Sequence, residues 1–243
     1  MAKTSGLSVR LYAGGYDMSG DVSAINSIND SQALIEVTGL DSSAVERLAG
    51  LGDGAVEING WFNAASGQIH AALLNSGKVR TADVVVLIPL GVTVGDVCAF
   101  LVAKESNYGL NRGADGSLAV SSGYQANGFG IAWGLMLTAG KRTDSSAATG
   151  SSIDNSSATA TGASAVVEVF SLGSGTVTPV VQDSADNSSF SAISGLTFTN
   201  VTSAPSAERL ATSATATIRQ YVRFATTNTF TNAVIACGFK RGQ

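Results

Sequence analysis

The chain is poor in charge, in histidine and in cysteine, and each shortage removes a class of function. Only 13% of its 243 residues are Asp, Glu, Lys or Arg, where a soluble globular chain carries about 25%. Its coat must therefore be mostly Ser, Thr, Asn, Gly and Ala. Two readings follow: much of the surface is covered in a permanent assembly, or the chain is an adhesin-like β-protein with a neutral polar coat. His70 is the one histidine, which excludes metal centres built on several imidazoles and any two-histidine mechanism. It lies in QIHAALLN beside Leu73 and Leu74, a packing or surface position. Cys98 and Cys237 each sit in a strand-like run, DVCAFLVA and AVIACGF. They read as small buried hydrophobes of a reducing compartment, a disulfide between the halves being the alternative.

Basic clusters are missing too. Residues 1–140 hold 7 Lys/Arg against 12 Asp/Glu, a balance of −5; residues 141–243 hold 7 against 6, giving +1. Nothing here can grip phosphates by counterion release, and the acidic first half should repel nucleic acid. No apolar run approaches the roughly 20 residues of a membrane helix. MAKTSGLSVRLYAGG lacks an apolar core, so no signal peptide is expected.

Chemical motifs are absent. There is no GxSxG, Walker loop, CxxC or HExxH. Gly128-Phe-Gly130 has two glycines of a dinucleotide fingerprint, but Trp133 stands where the third belongs. Asp183-Ser-Ala-Asp186-Asn187-Ser-Ser-Phe190 has oxygen ligands for calcium and equally the makings of a turn closed on its own backbone; its spacing matches no EF-hand. Asp17, Asp21 and Asp30 fall in Asn/Ser/Gly-rich loops. Arg219 and Tyr221 can stack on sugars or simply coat a strand. No catalytic, cofactor-binding or metal residue is assigned, no cofactor is implied, and the chain is not expected to be an enzyme.

The pattern predicts a mainly β chain: a first body over 1–140, a connector over 141–164 and a β-sandwich over 165–243. The connector, KRTDSSAATGSSIDNSSATATGAS, has Ile153 as its one sizeable apolar side chain. It cannot bury enough surface to offset its ordering entropy, so it reads as a flexible link or exposed loop. In the first body, strands are predicted at 7–12, 34–38, 56–62, 84–90, 96–104 and 117–125, with a turn at 113–116. VVVLIPL should be buried on both faces, with Pro89 near its end. Short helices are predicted over 41–50, with Asp41 or a neighbouring serine as cap and Gly50 as stop, and over 68–75. In Phe129–Leu137 the bulky row Phe129, Ile131, Trp133, Leu135 and Leu137 should build core. The bare row Gly130, Ala132, Gly134 and Met136 should admit a close backbone or sheet. In the second body, strands are predicted at 166–172, 176–182, 196–201, 218–225 and 233–240. SAERLA (206–211) reads as one helical turn.

Four segments carry a resemblance: LYAGGYDMSGDVSAINSI (11–28), VTGLDSSAVERLAGLGDGAVEINGWFNAASGQIH (37–70), YGLNRGADGSLAVSSGYQANGFGIAWGLMLTAG (108–140) and VVQDSADNSSFSAISGLTFTNVTSAPSAERLATSATATIRQYVRF (180–224). Over nearly its whole length the chain resembles major tail (tail tube) proteins of long-tailed actinobacterial phages, through packing and turn residues. The resemblance implies a self-assembling virion subunit made in the host cytoplasm. Rings stack into a tube, DNA passes through the lumen unbound, and no membrane is involved. It also implies a tail-tube-like sandwich or barrel with short flanking helices, other tail proteins as partners, and a carboxy-terminal domain decorating the outside. Loops such as 18–32 would reach the adjacent ring. The alternatives are a glycan-binding two-domain module and a capsid decoration protein.

Overall fold

The computed structural model describes residues 5–77 and 82–242; residues 1–4, at the start of the amino-terminal reading, lie outside it. With 58% strand and 4% helix, the chain is mainly β. The first half holds β1 (Tyr12–Ala13), β2 (Tyr16–Asp17), β3 (Val22–Glu36), β4 (Arg47–Trp61), helix α1 (Ile69–Gly77), β5 (Val84–Pro89), β6 (Val97–Arg112), β7 (Leu118–Ala126) and β8 (Ala132–Met136). The second holds β9 (Arg142–Asp144), β10 (Ala148–Asp154), β11 (Ala163–Ser171), β12 (Ser174–Gly175), β13 (Thr178–Ser184), β14 (Ser191–Thr197), β15 (Ser206–Ala211), β16 (Tyr221–Thr227), β17 (Phe230–Thr231) and β18 (Ala233–Arg241).

A long sheet runs β15-β11-β18-β8-β6-β5-β1-β2, with β7, β4 and β3 branching from β6, and β9 from β18. The branch arises because β6 is 16 residues long. Its start pairs with β8 through Val97–Phe100, and its continuation pairs with β7 through Ala103–Arg112. A second sheet, β10-β16-β13-β14, packs on β11 and β18.

Three clusters form the core. Val56, Ile58, Leu73, Val86, Leu101 and Tyr124 belong to the first; Val167, Val181, Val222, Phe224 and Ile235 to the second. The third draws on both halves, joining Tyr12, Leu87 and Phe100 to Val166 and Ala236. β18 lies between β11 and β8. The halves therefore share one sheet and one cluster, and are not bodies on a string.

Several local patterns become the elements expected. Val56 and Ile58 are buried while Glu57, Asn59 and Trp61 are exposed, the alternation of a half-buried strand. Every residue of β5 is buried, and Pro89 ends it. α1 forms, with Asp21 accepting from the Ile69 amide at 3.0 Å and from Asn63 at 2.9 Å. The β6–β7 turn closes through the Gly113 amide on the Ser117 carbonyl.

Elsewhere tertiary pairing overrides local signals. The helix expected over 41–50 does not form: Arg47–Gly50 enter β4, with Leu48 opposite Ile35 and Ala49 opposite Leu34. A helix of ten residues with no surface to pack on is marginal, and the cross-strand partners win. SAERLA is strand β15, paired with β11 along all six residues. Leu7 sits in a 3-10 turn (Gly6–Ser8), exposed, so no strand begins there. Leu196–Val201 is only partly strand, since β14 ends at Thr197.

The connector is ordered as well. β9 pairs with β18 and β10 with β16; Thr159 bridges to Ile218. Ala163 and Ser164 are buried at the start of β11. The segment needs no core of its own, because neighbouring strands satisfy its backbone and Ile153 packs on theirs.

The faces of 129–137 differ from expectation in part. Ala132 and Met136 face the shared core, and a side chain at Gly134 would meet the Phe239 carbonyl oxygen at 2.3 Å and the Phe100 ring at 3.1 Å. The Phe239 backbone and the Phe100 ring already fill that space, so only a glycine fits at 134. Ile131 and Leu137 are buried, Leu135 is half-buried, and Trp133 and Phe129 lie on the surface.

Candidate assembly surface

β3 and β4 extend beyond the sheet that anchors them. β4 pairs with β7 only over Ala55–Trp61, whereas its ladder with β3 continues to Glu36 opposite Arg47. From Ser31/Asp53 to Glu36/Arg47 the hairpin projects about 20 Å, at roughly 3.4 Å per residue. Its end is closed by the Val37 amide on the Glu46 carbonyl (3.0 Å) and the Glu46 amide on the Thr38 hydroxyl (3.1 Å). From 29 to 53 every residue is exposed save Ser42 and Gly50, which are half-buried.

This arm is apolar where it should be polar. Leu34, Ile35, Val37, Leu40, Val45, Leu48 and Leu51 are all exposed, Leu40 and Leu51 almost entirely. Full burial of one such side chain is worth about 1.5–3 kcal/mol. Seven together can exceed the roughly 4–15 kcal/mol that association costs. A concentration of this kind marks an interaction surface.

β3 is also an unpaired edge, since its one sheet neighbour is β4. Bulges between Val22 and Ala24, Ile25 and Ser27, and Gln32 and Leu34 break its register. The outer face beside it is largely polar, with Glu57, Asn59, Ser121, Gln125 and Asn111 exposed alongside Trp61. Asn59 donates to Asn26 at 3.3 Å and Gln125 to Asp53 at 2.7 Å. Lys104, at its margin, is paired with Asp83 at 2.8 Å. The face thus presents mainly amides, hydroxyls and carboxylates, with Arg112 exposed at the end of β6.

The residues weighed from the sequence fall in separate places. Asp183 is buried and committed to Arg219, accepting from its amide and its Nε at 2.8 Å each. Asp186 accepts from the Ser189 and Ser188 amides and the Ser184 hydroxyl, and these bonds, Ser189 first, hold its carboxyl well below the usual range. That is the closed turn. Among the described residues no group of three or more His, Cys, Asp or Glu is placed to hold a metal. Arg219, bound to Asp183 and Ser191, is not free to stack on a sugar. Tyr221 is half-buried.

His70 meets the Tyr108 hydroxyl through Nδ1 at 2.5 Å and tilts against Phe62, a packing role. Asp17 pairs with Lys141 at 2.5 Å and Asp21 caps α1, so both are structural. Asp30 accepts from the Trp133 indole at 3.2 Å, tying the base of the arm to β8. Cys98 and Cys237 are free and buried, and burial pushes the Cys98 thiol up to about 12. No described helix is long and apolar enough to cross a membrane. The loop expected over 18–32 is mostly strand β3, and the projecting hairpin lies further on, its sequence signal being the apolar runs ALIEV and RLAGL on either side of Gly39.

No protein-family model matches the chain, and no curated protein matches it either. Among solved structures it is similar to a chain in the virion of a native gene transfer agent particle, at 10% identity over 54% of this chain and 98% of that one, TM-score 0.42. It is similar to a chain in the tail of an empty gene transfer agent particle of C6 symmetry, at 14% identity over 54% and 98%, TM-score 0.42. It is also similar to Dit of phage SPP1, at 8% identity over 96% and 99%, TM-score 0.36.

Proposed function

We propose that the chain is a structural subunit of a phage tail, and more narrowly a tail tube subunit that assembles with copies of itself into stacked rings. The arm is the observation that carries this reading: seven exposed apolar side chains on a hydrogen-bonded hairpin have no occupant within their own chain. The open edge of β3 supports it. A neighbour pairing there would continue the sheet and remove an edge that otherwise invites aggregation.

On this reading the polar face of β3, β4, β7 and β6 lines the channel. DNA passing it meets mostly hydroxyls, amides and carboxylates, with few cations to hold phosphate. The second sheet then faces outward, and the working site of the protein is its virion tail. Purified protein examined by negative-stain electron microscopy should form rings or tubes. Protein that stays monomeric as concentration rises, with other tail components added, defeats the reading.

A further inference from the structure

A second uncovered apolar surface lies on the opposite side of β8 from the shared core. Val97, Trp133 and Leu135, on the outer face of β6 and β8, line a groove of about 330 Å³ with Phe239 and Lys240 of β18. Val97 and Trp133 are each more than 40% exposed. The strip exists because the first core cluster covers β5 and β6, the second covers β11 and β18, and neither reaches the outer face of β8.

We propose that this groove receives the β3–β4 arm of a second copy of the chain. The proposal rests on the tube reading and names the seat of its arm. Charge supports the match. The arm tip carries Glu36, Asp41 and Glu46 against Arg47 alone, and among the described residues none of the three acids has a cation within ion-pair distance. At the groove, Lys240 has no carboxylate partner within that distance among the described residues. Asp96, the acid beside Val97, is turned to the Thr93 amide at 2.7 Å. An acidic apolar hairpin thus faces an apolar groove with a free cation at its side. The arm of the same copy is not the occupant. Its base is tied to the groove's rim through Asp30 and Trp133, while its ladder leaves Leu48 more than half exposed and Leu40, beyond it, fully so.

The test places a photo-crosslinking amino acid at position 48 in the full chain, irradiates the assembled protein and maps the products by mass spectrometry. Crosslinks from the arm of one copy to peptides holding 97, 133–135 or 239–240 of another are expected. Leu135→Glu should abolish them while circular dichroism of the protomer is unchanged. Lys240→Glu should weaken them, with recovery on Glu46→Lys. Rings or tubes whose arms crosslink elsewhere, or not at all, overturn the groove and leave the tube reading standing. Failure to assemble removes both.

Discussion

Glu168, in the middle of β11, accepts the Gly15 amide at 2.5 Å while fully buried. Gly15 has φ +83° and abuts the backbone of Ser206. The bond pins the β1–β2 turn to the second half of the chain. Burial pushes the Glu168 carboxyl well above its ordinary range, against the opposing pull of that amide.

A raised carboxyl pKa means the folded state holds the proton after the unfolded state has lost it. Stability from this group is full at acid pH and declines as pH rises from about 4.5 through the folded value. Glu168→Gln keeps an acceptor for Gly15 and cannot titrate. Urea unfolding at several pH values should give a flatter profile for the variant, which should be the more stable protein at pH 8.

Asp183 and Arg219 form a pair with the carboxylate buried and the guanidinium partly exposed. Asp183→Ala should cost about 3 kcal/mol, the low end for breaking a buried pair, because solvent screens the exposed partner. Denaturant midpoints at constant m-value measure it. A loss under about 0.5 kcal/mol, the scale of a surface change, would show that the pair does not hold β13 to the segment before β16.

Gly134 has no room for a β-carbon beside the Phe239 carbonyl. Gly134→Ala should destabilise by about 1–3 kcal/mol through overpacking, read as a lowered Tm. An unchanged Tm would mean that β8 and β18 separate easily.

How far the sequence could be read shows in these same places. Strands whose partners lie on both faces, such as Val84–Pro89, announce themselves by composition. The order of the connector does not, because β9 and β10 are held by backbone ladders and by contacts such as Asp144 with Thr226 at 2.6 Å, both invisible to a count of apolar residues. The face of Trp133 is hidden for a related reason: which row of β8 packs on the shared core depends on the Phe239 backbone and the Phe100 ring, both on other strands. DSSAVERLAG carries genuine helix caps that lose to Leu34 and Ile35 across the hairpin.

Replacing Leu34, Leu48 and Leu51 together by Ser should leave the protomer folded, since each is exposed and surface substitutions usually shift stability within about 0.5 kcal/mol. Assembly should fail. Far-ultraviolet circular dichroism checks the first half and electron microscopy the second.

The most direct measurement is the mass of the purified protein in solution by light scattering across a concentration series. Particles many times the 24.5 kDa of one chain are expected, falling to that value in the triple Ser variant. A wild-type mass fixed at one chain, with the arm still exposed and tail components present, would contradict the account.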